Sequence, residues 1–297
     1  MSSKTVGIII VSAGREDFIR PLLDSIKAQD HPVSRVIVID NSRDGLSYCQ
    51  ALNKGIAECR EEFILCLNDD VILENDFVRL ALAGFSIDGR VGMVSGKILR
   101  WDKKTIDSTG LFLSVFRTVR ERGYGVLDCG QYEKPGMVFG VTGAVAFYRR
   151  SMLDGLADDG KVFDEDMSFF YEDLDIAWRG YNAGWTATYV PRAKAYHLRG
   201  GTARPAEGIG RKFSRRFLSD HLQFELIKNR YITIIKNERL ADFLCFFIFI
   251  VFYELLSWVF LLVFNPGVLR LFFERGIPAG LALSKRNRFK YPAKMVK

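Results

Sequence analysis

The chain contains 297 residues, of which 48% are hydrophobic and 26% are charged, and its formal net charge is +7. This length allows one large domain or two small ones with a substantial core, and the composition excludes a disordered, collagen-like or disulfide-stapled protein. The five cysteines include no C-x-x-C pair, which argues against a zinc or thiol-redox motif and is typical of free thiols in a reducing compartment.

The first seventy or so residues alternate between strand and helix patterns. Residues 6–11 form a continuous apolar run, which is typical of a buried strand, and residues 17–29 repeat apolar side chains at helical spacing. We expect no signal peptide, because residues 1–4 lead directly into the first strand. The alternation predicts strand–helix–strand units in a parallel sheet. The next predicted elements are a strand over 35–40, a helix over 46–60 and a strand over 63–67.

The middle of the chain extends this sheet and then ends it. A charged, glycine-containing stretch, residues 100–135, is either a loop over a site or a small antiparallel flap. After the last predicted strand, Gly200, Gly201, Gly208 and Gly210 mark a flexible segment. The other predicted elements here are a strand over 91–98, a core segment over 137–148, a helix over 170–183 and a strand over 186–190 that ends before Pro191.

The C-terminal part differs from the rest in charge and hydropathy. Residues 1–198 carry 24 Lys or Arg against 28 Asp or Glu, whereas residues 199–297 carry 18 against 7, so the net charges are −4 and +11. Such a tail suggests a polyanionic partner, either a nucleic acid or an anionic membrane. After a predicted helix over 215–237, residues 243–264 contain only two non-apolar side chains, Glu254 and Ser257. A helix of that length is about 33 Å long, enough to cross a bilayer core.

We expect this apolar helix to be monotopic or re-entrant on a membrane. Basic residues flank it on both sides, and Asn265-Pro266-Gly267 interrupts the run, which keeps both basic clusters at the headgroups. Glu254, in the middle of the run, argues against simple lipid exposure. A full membrane span and a helix in an oligomer interface are the alternatives. A nucleic-acid partner is not favoured, because the aromatic residues form an apolar run and do not alternate with basic ones.

Polar side chains end three of the early strands, at the edge where open α/β sheets bind their ligands. They are Ser12, Asp40 with Asn41-Ser42, and Asn68-Asp69-Asp70. Neither a G-x-G-x-x-G nor a P-loop sequence is present, which excludes those two phosphate-binding motifs. Asp40 is equally explained by a nucleoside contact or by an Asx turn or helix cap. The Asp69-Asp70 pair is suited to a divalent cation on a diphosphate, the alternative being an ordinary acidic turn.

A second acidic cluster places six carboxylates within residues 163–175. Glu172 and Asp173 open a predicted helix, where helix capping is the simple explanation. The aromatic residues that precede them would raise their carboxyl pKa values toward use as a base. His197, one of three histidines, is either a metal ligand or a core residue.

The order of these motifs resembles glycosyltransferase family 2, a family of nucleotide-sugar transferases with the A-type (GT-A) fold, and most closely its bacterial rhamnosyltransferase-like members. The similarity covers residues 5–235. It implies an α/β GT-A domain over 1–210, Rossmann-like with a mostly parallel central sheet and flanking helices. The charge of the tail and its apolar run predict a helical membrane-associating region over 211–297. The motifs are Asp40-Asn41-Ser42, residues 52–56, Asn68-Asp69-Asp70, residues 141–144, residues 172–179 and Pro191 with His197.

The resemblance also implies roles for individual residues. Asp173 corresponds to the general base, supported by Glu172, while Asp70 and His197 correspond to the ligands of a Mg²⁺ or Mn²⁺ ion. Asn68 departs from the family pattern, because it replaces the first acid of Asp-x-Asp. No Gln-x-x-Arg-Trp motif of processive synthases is present, so the resemblance implies addition of a single sugar. The residues expected to bind the nucleotide sugar are Ser12, Asp40, Asn53, Gly55, Asn68, Asp69, Thr142 and Gly143.

The function implied by the resemblance is an inverting, metal-dependent transfer of one sugar from a nucleoside diphosphate, with rhamnose from dTDP-rhamnose as the expected donor. The expected acceptor is a polyprenyl-diphosphate-linked glycan in cell-surface polysaccharide synthesis, at the cytoplasmic face of the bacterial inner membrane. An anionic membrane surface is the expected partner of the tail, and a homo-oligomer through the C-terminal helices is an open alternative. The alternative function is a catalytically degenerate membrane scaffold of the same fold.

Overall fold

A computed structural model describes residues 4–199 and 218–288. The predicted flexible segment from Gly200 to Gly210, the predicted helix start at residue 215 and the predicted domain boundary after residue 210 lie outside these described residues. The strands are β1 Val6–Ser12, β2 Arg35–Asp40, β3 Phe63–Asn68, β4 Val71–Leu73, β5 Val91–Arg100, β6 Ile106–Ser108, β7 Leu111–Leu113, β8 Val119–Glu121, β9 Gly136–Val138, β10 Val145–Arg149 and β11 Thr186–His197. The helices are α1 Glu16–Lys27, α2 Asn41–Asp44, α3 Tyr48–Glu58, α4 Phe77–Gly84, α5 Arg150–Leu156, α6 Glu172–Asn182, α7 Asp220–Asn237, α8 Leu240–Phe264, α9 Gly267–Arg275 and α10 Ala279–Arg288.

The central sheet has the strand order β2-β1-β3-β10-β5-β11-β4, with β6 added to β5 and β9 to β11. Five of these strands, β1, β2, β3, β5 and β11, run in one direction, and β4, β6, β9 and β10 run against them. Alternate side chains of β1 enter two separate cores, one covered by α3, α5 and α6 and the other by α1 and α4. The predicted α/β fold with flanking helices is therefore confirmed, as a mixed sheet.

Strand β11 is longer than predicted, because it passes through Pro191 and ends at His197. The prediction that the strand ends at residue 190 is wrong. A shift of register against β5 between Val190 and Lys194 accommodates the proline, which cannot donate a ladder hydrogen bond. The extension pairs His197 with Val71 of β4, and this carries the histidine to the turn that contains Asp70.

Residues 100–135 form the antiparallel flap, the second of the two predicted possibilities. Strands β7 and β8 pair as a two-stranded sheet, and the tip between them contacts the C-terminal helices. The ring of Phe116 packs on Phe249 and Tyr253 of α8, and the Arg117 guanidinium donates to the Glu238 carboxylate. The flap thereby joins the sheet to the C-terminal helices.

Helix α7 is packed on the sheet domain, with polar side chains along its buried face. Lys236 lies between the carboxylates of Asp164 and Asp175, at 2.7 and 3.0 Å, and Lys285 of α10 contacts Asp164 at 2.5 Å. Several positive charges of the tail are thus neutralised by the acidic cluster before α6. This corrects the inference that the whole +11 tail is available to an external polyanion: the charge count does not distinguish internal ion pairs from free charges.

Helix α8 has 25 residues and is the one helix in residues 4–199 and 218–288 that is long and apolar enough to cross a membrane. Only Ile250 and Leu261 are buried, and most of its large apolar side chains are exposed. The charged side chain of Glu254 does not lie on this exposed apolar surface, because it faces α7 and accepts hydrogen bonds from Arg230 and Tyr231. The polar residue in the middle of the run is therefore partnered by protein.

Candidate active site

The turn between β3 and β4 carries Asn68, Asp69 and Asp70 at the carboxyl edge of the sheet. Asp69 is buried and accepts hydrogen bonds from the Ser12 hydroxyl at 2.9 Å and from the Ala13 N–H at 3.2 Å. The guanidinium of Arg15 forms an ion pair with the same carboxylate. Asp69 therefore fastens the end of β1 to the end of β3, and Arg15 adds a positive charge at this edge.

Asp70 contacts His197, and His197 contacts a third residue, Asp107 of β6. The Asp70 Oδ1 atom lies 3.2 Å from Nε2 of His197, and the Asp107 Oδ2 atom lies 2.8 Å from its Nδ1. Burial alone would lower the pKa of His197, but the hydrogen bonds to the two carboxylates outweigh it and raise the pKa to about 9. Burial opposes ionisation of Asp107, yet His197 and Arg199 hold its pKa at about 2. The three side chains form one buried charged chain.

A divalent cation, which the family resemblance implies, fits this donor set. Asp70 offers a carboxylate oxygen, and beside it His197 offers an imidazole nitrogen once the Nε2 proton is lost on metal binding. A carboxylate on the other ring nitrogen is the usual orienting partner of a metal-ligating histidine. Within residues 4–199 and 218–288 there is no group of three or more potential protein ligands for one ion. Mg²⁺ and similar ions are held by one or two carboxylates together with substrate phosphates, so a two-residue site is consistent with them.

Glu172 and Asp173 lie at the start of α6, against the backbone of Gly143. The Asp173 Oδ2 atom accepts the Gly143 N–H at 3.2 Å, and Oδ1 accepts the Leu174 N–H at 2.7 Å. A Cβ on Gly143 would lie 3.0 Å from Oε1 of Glu172, so glycine is what permits this close approach. The Oε2 atom of Glu172 is buried without a hydrogen-bond partner among the described residues.

The two carboxyl groups differ in their electrostatic environment. Burial, and secondly the charge of Asp173, raises the pKa of Glu172 to about 8. Burial also raises the pKa of Asp173, but its two backbone N–H donors oppose that rise. Since the N–H donors stabilise the ionised form of Asp173 while burial favours the protonated form of Glu172, Asp173 is the more easily ionised member of the pair.

Tyr48 of α3 links the strand-end turn to the acidic pair. Its hydroxyl lies 2.9 Å from Oδ1 of Asn68 and 3.1 Å from the carbonyl oxygen of Gly143, whose N–H contacts Asp173. Thr142, the neighbour of Gly143, donates its hydroxyl to Glu121 of the flap at 3.2 Å. These contacts connect Asn68, Thr142, Gly143 and Asp173 into one network beside the Asp70–His197 pair.

Comparison with known proteins identifies the family. Residues 63–275 match the family described as glycosyl transferase family group 2. The chain belongs to this family. Relatives include the poly-beta-1,6-N-acetyl-D-glucosamine synthases of Staphylococcus aureus (strain COL), 22% identical over 88% of this chain and 57% of that protein, and of Staphylococcus epidermidis, 19% identical over 87% and 63%. This glycosyltransferase therefore spans about three fifths of the length of those relatives.

Three solved structures share the fold of this glycosyltransferase at low identity. GalNAc-T7 with UDP, GalNAc and Mn²⁺ has a TM-score of 0.54 and 10% identity over 79% of this chain and 48% of that chain. The mannosyltransferase PcManGT from Pyrobaculum calidifontis with GDP-Man and Mn²⁺ has a TM-score of 0.52 and 15% identity, over 96% of this chain and 81% of that chain. TarS 1–349 of S. aureus with UDP has a TM-score of 0.50 and 14% identity, over 79% of this chain and 67% of that chain. These likenesses establish the GT-A fold.

Three of the residues expected to bind the nucleotide sugar of this glycosyltransferase also make contacts within the protein. Asp40 caps α2, with Oδ1 accepting from the N–H groups of Ser42 and Arg43, which is the second of its two sequence interpretations. The Asn53 amide is buried and is bonded at both ends to residues 162–165. A Cβ on Gly55 would lie 2.5 Å from Ile9, so Gly55 allows α3 to pack on β1. For Asn53 and Gly55 these contacts show a packing role, and donor binding by these two residues stays a prediction.

Several residues of the site are not predicted from the sequence, among them Tyr48, Asp107 and Glu121. Each reaches the site through contacts between elements distant in the chain, and no local motif marks them. Glu121 is notable because burial raises its pKa to about 7, and its Oε2 atom has no hydrogen-bond partner among the described residues. The only signal in the sequence that could have indicated Glu121 as a site residue is that the other predicted site residues are largely acidic.

Asp107→Asn is expected to weaken the affinity for Mn²⁺ by about 10- to 100-fold, because the carboxylate that orients His197 is removed. Mn²⁺ titrations of the purified glycosyltransferase with UDP present, followed by electron paramagnetic resonance, measure this. Asp102→Asn is the control, since Asp102 is an exposed acid of the same segment whose hydrogen bonds go to Lys104 and Thr105. Equal Mn²⁺ affinities in the two variants would remove Asp107 from this role.

Proposed function

We propose that this glycosyltransferase catalyses an inverting single displacement. Asp173 takes the proton of an acceptor hydroxyl while the oxygen attacks the anomeric carbon of a nucleoside-diphosphate sugar, and the bond from that carbon to the diphosphate breaks. The observation that carries the proposal is the buried Glu172–Asp173 pair at the start of α6, in which the Asp173 side chain accepts the Gly143 N–H. Glu172 is expected to keep its proton and to contact the acceptor through its unpartnered oxygen.

The diphosphate end of the donor is expected at Asp70 and His197. A bound Mg²⁺ or Mn²⁺ ion would neutralise the charge of the departing diphosphate. Mn²⁺ in the structures of GalNAc-T7 and PcManGT supports a divalent cation without deciding between the two metals. Arg15 is a second cation at this edge, and its Nη1 atom is buried without a hydrogen-bond partner among the described residues, which supports a proposed hydrogen bond to a phosphate oxygen.

The donor sugar is proposed from resemblance and not from a contact. The rhamnosyltransferase-like order of motifs favours dTDP-rhamnose, whereas the relatives are named for a polymer of N-acetylglucosamine and the structural neighbours hold UDP or GDP-mannose. Single addition is preferred over polymerisation, because the chain has no Gln-x-x-Arg-Trp motif. Asn68 does not by itself indicate a degenerate enzyme, since its side chain is held by Tyr48 within the site.

The acceptor is proposed to be a glycan on a polyprenyl diphosphate at the cytoplasmic face of the inner membrane. The support is the exposed apolar surface of α8, a helix that contacts the flap through Phe249 and α7 through Glu254. A protein held by α8 at the membrane would meet acceptor hydroxyls close to the headgroups.

Nucleoside-diphosphate release tests the proposal. The full chain in lipid nanodiscs is offered dTDP-rhamnose, UDP-N-acetylglucosamine and GDP-mannose in turn, with and without a polyprenyl-diphosphate disaccharide, in Mn²⁺, Mg²⁺ or EDTA. We expect release from one donor to depend on both the cation and the lipid acceptor, and the product to have the inverted anomeric configuration. A retained configuration, or equal release in EDTA, would contradict the proposed chemistry.

A further inference from the structure

The turn that presents the acidic pair has an unusual backbone. Phe170 and Tyr171, directly before α6, have φ angles of 71° and 70°, a left-handed conformation that non-glycine residues rarely adopt. Two consecutive residues of this kind persist only where the surrounding structure holds them. The direction in which Glu172 and Asp173 leave the turn therefore depends on contacts made by the turn itself.

One side chain of α7 provides these contacts. The Nδ2 atom of Asn229 donates to the carbonyl oxygens of Phe169 at 2.7 Å and of Phe170 at 3.1 Å. Asn229 is fully buried, and its Oδ1 atom has no hydrogen-bond partner among the described residues. Burying this oxygen without a partner costs folding free energy. The position of the amide is therefore fixed by the two hydrogen bonds that its Nδ2 atom donates.

The other polar residues on this face of α7 bind the acidic segment on either side of the turn. Lys228 donates to the carbonyl oxygen of Asp166 at 2.8 Å, and Lys236 and Asn237 contact the Asp175 carboxylate. The Asn229 side chain bonds two carbonyl oxygens of the strained turn directly. Its neighbour Arg230 bonds the flap tip and Glu254 of α8, so the same turn of α7 also contacts the apolar helix.

We infer that Asn229 is a positioning residue for the reaction: it holds the 169–171 turn so that Asp173 stays against Gly143 in reach of the acceptor. The inference rests on the proposed function, because it assumes that Asp173 is the base. It assigns Asn229 no contact with substrate. A base displaced by about 1 Å can lose about 100-fold in rate while the donor site is unchanged.

The experiment compares Asn229→Leu with Gln223→Leu in the full chain. Gln223 is a matched control, since it is a fully buried amide on α7 that donates to one carbonyl, that of Leu218, and also has an unpartnered oxygen. Both variants remove a buried amide of α7, but only Asn229 bonds the turn before α6. Two readouts are taken: hydrogen exchange of the peptide 167–174, and kcat and KM for the donor that the wild type prefers among UDP-N-acetylglucosamine, GDP-mannose and dTDP-rhamnose.

We expect Asn229→Leu to speed exchange of the 167–174 peptide and to lower kcat by about 10- to 100-fold, with KM for the donor within about twofold of wild type. Gln223→Leu should change neither readout beyond its effect on thermal stability. If Asn229→Leu does not fold, Asn229→Ser, which is smaller and cannot span both carbonyls, replaces it. Indistinguishable exchange and kcat for the Asn229 and Gln223 variants would overturn the inference.

The failure of the inference can be separated from the failure of the proposed function. If Asp173→Asn remains active, the proposed base is wrong, whatever the Asn229 variants do. If Asp173→Asn is inactive while Asn229→Leu has wild-type kcat and wild-type exchange, the base stands and the positioning role of Asn229 is lost.

Discussion

Replacement of Asp173 by Asn is expected to lower kcat by about 10²- to 10⁴-fold, the range that a general base contributes. Asparagine keeps the size of the side chain, and its one oxygen can still accept either the Gly143 or the Leu174 N–H, so one of the two hydrogen bonds at the start of α6 is kept. What is lost is the capacity to take a proton. The dissociation constant for the nucleoside diphosphate of the preferred donor, measured by calorimetry in Mn²⁺, should stay within about twofold, because no contact at Asp70 or His197 changes.

Two further variants separate the role of Asp173 from general acidity. Glu172→Gln imitates the protonated form that the raised pKa of Glu172 favours, so its kcat should fall far less than that of Asp173→Asn. Asp166→Asn, an acid of the same cluster that pairs with Lys285, should be near wild type. If Glu172→Gln is inactive while Asp173→Asn is active, Glu172 is the general base and Asp173 is its protonated partner.

The pH dependence gives an independent check of the same pair. The pKa of Asp173 is raised by burial, so its ionised form is lost at a higher pH than for an exposed aspartate. The kcat of the wild type should therefore fall on the acid side, with an apparent pKa above the ordinary value of about 4 that belongs to the pair as a whole. This acid limb should be absent from the residual activity of Asp173→Asn.

Local patterns in the sequence predict the strand-end part of the site well. A buried apolar run followed by polar residues predicts where Ser12, Asp69 and Asp70 lie, because parallel strands end at one edge of a sheet. The structure brings these residues together with His197 and, through Tyr48 and Gly143, with Asp173. Asp107 and Glu121 are not predictable in this way, since they come from a flap whose folding depends on contacts with β5 and the C-terminal helices.

Several residues make contacts that the sequence does not predict, because neither a motif nor a count of charges identifies the partner of a side chain. Asn53 and Gly55 stand at motif positions, but their environments show packing against residues 162–165 and Ile9. The lysines of the tail suggested an anionic surface, whereas Lys236 and Lys285 neutralise Asp164 within the molecule. Pro191 suggested the end of a strand, but a local register shift in β11 accommodates the hydrogen bond that a proline cannot donate.

This internal pairing sharpens what α8 is expected to do. Because Lys236 and Lys285 are paired within the molecule, membrane attachment should depend mainly on the apolar surface, with a smaller contribution from other basic residues of the tail. Ile248, Leu255 and Leu262 lie seven residues apart on α8, along one stripe, and are 76%, 61% and 60% exposed. They are therefore the side chains to change.

Replacing Ile248, Leu255 and Leu262 together by Gln is expected to weaken binding to phosphatidylglycerol-containing vesicles by at least about 10³-fold, since each large apolar side chain contributes about 2 kcal/mol when it leaves water. Cosedimentation with vesicles measures this, and added salt should change it less than the triple substitution does. Ile250→Ala with Leu261→Ala is the matched control, because these side chains of the same helix are buried against protein. This control should lower the thermal stability and leave vesicle binding intact.

If the triple variant still sediments with vesicles, α8 is not the membrane contact. If instead it converts a stable oligomer into a monomer in detergent-free solution, the stripe is the interface between two copies of the chain. Only loss of vesicle binding by a protein whose oligomeric state is unchanged supports a membrane-held glycosyltransferase.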